Sequence, residues 1–241
     1  MTKNTQLLSL ALLALVGFAV KAPAQAISWQ TPVTISGDGN VDIAGTFLYA
    51  YGLGGSGGDT VNGVTFSSGP LGGNTDFTTS NLDGAAFFGP SATAAPYSDL
   101  SASYEDLVGH GDYATANSGV GTATLTLNGL TNGDSYQVQV FVNDSRTFGA
   151  GRSETFTGGG STSGALSYNS TGADGGVGQF VIGTFTADGS SEDITLASTQ
   201  ALQLNAFQVR EEGATPEPST YAMVFAGLGL LALVSRLRKL A

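Results

Sequence analysis

The chain has 241 residues, of which 11% are charged and 41% apolar, with 36 glycines and no cysteine. That length suits one domain or two small ones with a real core, and the lack of cysteine excludes a disulfide framework or a thiolate metal site. Between Ile27 and Gly213, three arginines and no lysine stand against 18 acidic residues, a net charge of −15, which excludes nucleic acid and anionic lipid as partners and favours cations or neutral ligands.

Lys3 precedes an apolar run from Leu7 to Val20, and Ala24-Gln25-Ala26 follows it. A basic start, an apolar stretch and a small-x-small site predict a signal peptide over residues 1–26, cut by signal peptidase before Ile27. Trp29, the one tryptophan, is expected to pin the first strand as a hydrophobic plug, with a sugar platform as the other reading. Next comes Asp38-Gly39-Asn40-Val41-Asp42, whose D-x-N-x-D spacing is that of the start of a calcium loop. Asp38, Asn40 and Asp42 are therefore candidate ligands for a structural Ca²⁺, a cation that takes about six to eight oxygens. The later glutamate and flanking helices of an EF-hand are missing, and Asx-turns explain the same residues equally well.

Few charges among many Gly, Ser, Thr and Asn residues predict short strands joined by turns. Period-2 alternation predicts strands at 47–51, 64–66, 122–127, 136–142, 179–186, 193–196 and 202–210. In 136–142 (YQVQVFV) the even-numbered residues share one face and Gln137 and Gln139 lie on the other. Glycine-rich turns are expected at 52–58, 69–74 and 158–164. One segment departs from the pattern: Leu100, Tyr104, Leu107 and Val108 follow helical spacing, with Ser98 as cap, Asp99 in the first turn and Gly109 as stop. This predicts one short helix over 98–108, covering one end of a sandwich. His110, the sole histidine, is placed to cap that helix.

Catalytic constellations are sparse. There is no G-x-S-x-G elbow, a single histidine cannot make a zinc site, and only paired carboxylates remain as an enzymatic option, as in glycoside hydrolysis. Glu105 and Asp106 are adjacent on the outer side of the predicted helix and read as solvated surface. The densest polar cluster is Asn143, Asp144, Ser145 and Arg146, followed by Arg152 and Glu154. Two readings of it stand side by side. Asp144 and Glu154 pair with Arg146 and Arg152 to brace a long loop, or the cluster is a ligand site in which Asn143, Asp144, Arg146, Arg152 and Glu154 meet sugar hydroxyls while Phe148 or Tyr113 stacks on the ring.

Two resemblances add to this. Leu130 to Val138 (LTNGDSYQV) has the L-x-x-G-x-x-Y-x-V form that joins strands in many β-sandwich modules. With the 202–210 strand, it makes 122–210 look like the second half of a galactose-binding-like jelly roll. That resemblance implies an all-β, jelly-roll-like sandwich with one short helix over residues 27–213, of a kind used by many carbohydrate-binding modules. At the other end, Pro216-Glu217-Pro218 precedes an apolar stretch at 221–234 and a basic tail at 235–241 containing Arg236, Arg238 and Lys239. As a helix those fourteen apolar residues span about 21 Å, short of the ~30 Å hydrocarbon core, and suit a transient transmembrane stop held by the basic tail. Residues 214–241 resemble the PEP-CTERM sorting signal, which implies a Gram-negative bacterium, recognition by an exosortase and often a role in extracellular polysaccharide or biofilm matrix. The expectation is an exported, non-catalytic protein, anchored first in the inner membrane and then placed at the cell surface or in the matrix, where polysaccharide is its partner. A carboxylate-dependent glycan hydrolase or lyase, and a purely structural matrix protein without ligand, are the alternatives.

Overall fold

Alternation along the strands sorts the residues into layers. In Gly121–Asn128 (GTATLTLN) the side chains of Ala123, Leu125 and Leu127 are buried, while the threonines between them face outward. Ser191–Ser198 repeats the pattern with Ile194 and Leu196 inside. The computed structural model describes residues 26–55, 57–114 and 121–213. The predicted signal helix and C-terminal transmembrane helix lie outside them, and among the described residues no helix is long and apolar enough to cross a membrane.

Six strands form one sheet in the order Ser161–Thr162, Ser153–Gly158, Ser191–Ser198, Gly121–Asn128 and Phe77–Ser80, with Leu166–Ser167 also paired to Ser153–Gly158. Eight form the other: Ser28–Trp29, Gln179–Thr186, Ser135–Val142, Ala206–Glu212, Thr46–Gly52, Val64–Ser68 and Asp59–Val61, with Val33–Thr34 also paired to Gln179–Thr186. Thr46–Gly52 and Val64–Ser68 run parallel. Leu125, Leu127, Phe156 and Ile194 from the first sheet meet Val138, Val140, Val181, Phe207 and Val209 from the second in the main core. The described residues thus form the β-sandwich with one α-helix that their sequence predicts. The L-x-x-G-x-x-Y-x-V segment behaves as expected: Leu130 is buried, Gly133 has φ +91°, and Thr131 N donates to Tyr136 Oη at 2.8 Å.

The helix differs from expectation in two ways. It spans Ala102–Gly109, and its cap is Ser101, whose Oγ accepts from Tyr104 N at 3.3 Å; Ser98 falls in a preceding 3₁₀ turn, Tyr97–Asp99. It also lies on the outer face of the eight-stranded sheet rather than at one end of the sandwich. Tyr104, Leu107 and Val108 share a second core there with Ala50, Phe66, Phe141, Phe180 and Ile182. The Tyr104 and Phe66 rings both meet Phe141 edge-on, at 6.3 and 6.2 Å. Phe141 is the reason, because it occupies the same strand face as Gln137 and Gln139 and needs cover. The glutamines are covered too, by the loop at 38–42: Gln139 Nε2 donates to Asn40 O at 2.6 Å and Gln208 Nε2 to Asp42 O at 2.9 Å.

A three-stranded sheet, Gln203–Leu204, His110–Tyr113 and Gly84–Phe87, closes one margin. The chain meets it tightly at Gly54, where φ is +69° and a β-carbon would fall 2.2 Å from Gly111 N. The predicted 202–210 strand is broken at Asn205, which leaves Gln203–Leu204 in this sheet and Ala206–Glu212 in the large one. Asn205 is fully buried and joins three segments. Its Nδ2 reaches Val108 O (2.8 Å), His110 O (2.7 Å) and Asn143 O (3.0 Å), and its Oδ1 accepts from Asn143 N (2.8 Å). Asn205→Ala is expected to destabilise the fold by about 3 kcal/mol, because it strands buried donors and acceptors. In a thermal melt that is a loss of roughly 6–12 °C.

Candidate functional site

Ser135–Val142 ends at the polar cluster. Asn143 is fully buried; its Nδ2 donates to Val108 O at 3.0 Å and its Oδ1 accepts from Gly178 N at 2.8 Å, so its amide serves the fold. Asp144, 0% exposed, is gripped by Arg146, whose Nε and Nη2 each donate at 2.8 Å to one carboxylate oxygen. Arg152 Nη1 stands 3.9 Å from the same carboxylate. This two-pronged contact raises the Arg146 pKa above its ordinary value. The Arg146 guanidinium, with its side chain 31% exposed, lies 4.8 Å over the Phe88 ring and 5.9 Å from Phe148. Phe148, on the 3₁₀ turn Thr147–Gly149, is 68% exposed. Asp144 therefore supplies the predicted brace, and a cation between two rings remains at the surface.

Glu154 departs from the predicted brace: among the ion pairs of the described residues it has no arginine partner. The reason is strand parity. In Ser153–Gly158, Glu154 points inward with Phe156 and Gly158, and it is 1% exposed. Its Oε2 lies 2.7 Å from Tyr168 Oη and accepts from Gln203 N at 3.2 Å, while Oε1 has no partner. Tyr168 Oη also lies 2.6 Å from Ala201 O. A phenol has one hydrogen to give, and a carbonyl can only accept. Both short contacts are hydrogen-bonded when Glu154 is a neutral acid that donates to Tyr168 while Tyr168 donates to Ala201. Burial acts in the same direction, pushing the Glu154 pKa up to about 8.

The remaining candidates are dispersed. Asp38 Oδ1 accepts from Ser101 Oγ (2.7 Å), Asn40 Oδ1 from Ser36 N (2.6 Å), and Asp42 Oδ1 and Oδ2 from Ala44 N (2.8 Å) and Gln137 Nε2 (3.0 Å). These oxygens serve turns and the cover over the glutamines, which is the Asx-turn reading of the D-x-N-x-D segment. Among the described residues no three acidic or histidine side chains converge to hold a metal. His110 Nδ1 meets Asp106 O at 3.1 Å, in the capping role expected of it. Trp29 packs 6.3 Å from Phe156 and donates to Ser161 O at 3.2 Å, as a plug does. Tyr113 touches Phe88 edge-on at 6.0 Å.

Sequence reasoning passed over Asp112 and Glu192. Asp112 is buried, accepts from Gly54 N at 3.0 Å and has its pKa raised by burial to about 6. Glu192 is raised to about 7, by burial first and then by Asp188. Nothing in their immediate sequence marks either one.

Two outcomes are expected. Arg146→Ala leaves Asp144 buried with only the distant Arg152, and costs about 2–3 kcal/mol in denaturant unfolding, less than a fully buried pair because Arg146 is partly solvated. Glu154 binds its proton more tightly when folded, since its pKa rises from 4.5 to about 8. The stability this confers is complete below the lower value and is lost as pH rises through the upper one. Asp112 and Glu192 lose theirs in the same direction at lower pH. Unfolding followed from mild acid to mild base shows falling stability, and Glu154→Gln flattens the most alkaline part of that fall. An unchanged profile in the variant refutes the neutral acid.

Residues 214–239, which follow the described sandwich, match the PEP-CTERM protein-sorting motif. No curated protein and no solved structure matches the chain.

Proposed function

We propose that this chain is an exported, exosortase-processed surface or matrix protein, whose ectodomain over residues 27–213 is a non-catalytic β-sandwich that meets extracellular polysaccharide. The match of residues 214–239 to the PEP-CTERM sorting motif carries this reading. The fold supports it: Ala26 and Glu212 line one shallow groove, so the proposed mature start and the exit to the tail lie together. A sandwich with both ends at one place can be cut at each end without its core being opened.

Glu154 and Asp112, whose pKa values burial raises, fit structural roles better than catalysis. Glu154 and Asp112 are enclosed, and an acid that protonates a glycosidic oxygen must reach it. The exposed Phe148 beside Arg146 favours glycan contact over an inert scaffold, since a ring and a guanidinium suit the face and the hydroxyls of a sugar.

Mass spectrometry of the protein released at the cell surface tests the processing. The expected outcome is an N-terminus at Ile27 and no peptide from residues 221–241; an intact tail refutes exosortase processing. Replacing Arg236, Arg238 and Lys239 with glutamine is expected to weaken membrane retention of the unprocessed form, because it removes the cytoplasmic anchor.

A further inference from the structure

The two sheets treat their outer faces differently. The eight-stranded sheet buries the middle of its outer face under the helix and the 38–42 loop. The outward positions of the six-stranded sheet are half-buried or exposed, at a level ordinary for a sheet in water. The side chains there are unusual. Ser80, Thr124, Thr195, Thr157 and Thr162 stand opposite one another in a row that crosses five strands. The outward positions in the rows on either side hold mostly further threonines, and this face carries no aromatic, lysine, arginine or glutamate. Its one charge in those rows, Asp193, accepts from Thr126 Oγ1 at 2.7 Å. Exposed protein surfaces ordinarily intersperse many charged side chains of both signs.

We propose that this hydroxyl-bearing face is the docking surface for the ordered surface of a neutral, insoluble polysaccharide, a proposal that rests on the polysaccharide reading above and gives it a location. Charge decides the class of partner. In an ectodomain of net charge −15 this face holds one satisfied acid and no base, so neither a polyanion nor a polycation finds counter-charges there. A second copy is disfavoured, because stable self-association buries apolar area that this face lacks. A neutral polymer of hydroxyls is matched group for group. Threonine is stiff about χ1, so its hydroxyl is placed before binding and little freedom is lost. Backbone spacing sets the array at about 4.8 Å across strands and about 6.8 Å along them. No ring is available to stack on one sugar, so attachment depends on many weak contacts made together, which a packed polysaccharide surface offers and a short soluble oligosaccharide does not. The last described strand, Ala206–Glu212, belongs to the other, eight-stranded sheet.

The test is retention of the full chain, expressed with its own signal and tail and purified in detergent, on particles of cellulose or chitin, with alginate beads as the anionic comparison. Wild type is expected to be retained on at least one neutral particle and not on alginate. Thr124→Lys with Thr195→Lys is expected to reduce retention by about tenfold or more, because the loss falls on contacts that act together, and by far more than Phe148→Ala does. Should the lysine pair disturb melting, Thr124→Val with Thr195→Val keeps the shape, removes the hydroxyls and is expected to weaken retention in the same direction. Loss in Phe148→Ala with full retention in the threonine variants overturns this face while keeping the polysaccharide reading. Equal retention on alginate overturns the neutral class, and no retention of wild type on any particle overturns the face and the polysaccharide reading together.

Discussion

Ser135–Val142 is buried along nearly its whole length on both faces, and a strand buried twice requires two different covers. One is the other sheet, reached through Val138, Val140 and Val142. The second must accept Phe141 together with the amides of Gln137 and Gln139, so it cannot be purely apolar. The molecule divides the work: the helix and Phe66 cover the ring, while the 38–42 loop offers backbone carbonyls and Asp42 to the amides. Buried amides are tolerable only with partners, so that loop is as much a part of the core as the helix.

Much of this was legible from the residues, and the exceptions share a cause. Segments 122–127, 136–142 and 179–186 alternate cleanly and are strands in the structure. Ser153–Gly158 was not anticipated, because its inward positions hold Glu154 and Gly158 beside Phe156, a pattern that reads as polar. Gly84–Phe87 has small residues at its first three positions and gives little alternation to detect. The helix was visible from its apolar stripe, yet the stripe cannot say which surface it covers. That depended on Phe141, which looks like a minor irregularity in an otherwise even strand.

The polar cluster follows the same logic. Two arginines and two acids in a charge-poor chain point to a brace or to a ligand site, and Asp144 with Arg146 forms an ion pair there. Glu154 was misassigned because its direction follows from a strand that had not been recognised. Its true partner, Tyr168, is fourteen residues away across a pairing that only the fold makes. The structure thus separates two uses of buried carboxylates: Asp144 is gripped by a partly exposed arginine, and Glu154 is enclosed with a phenol.

The strand that leads to the sorting tail has a mechanical consequence. Ala206–Glu212 is an inner strand, paired antiparallel to Ser135–Val142 on one side and Thr46–Gly52 on the other. A pull on the chain from beyond Gly213 runs along that strand, parallel to both neighbours. It loads the rungs of two ladders in shear, all at once, instead of peeling them one after another. Resistance to forced unfolding is set by the rate of crossing the unfolding barrier, and shared loading raises that barrier against a given tension. Tension applied beyond Gly213 is therefore shared between two ladders from the start.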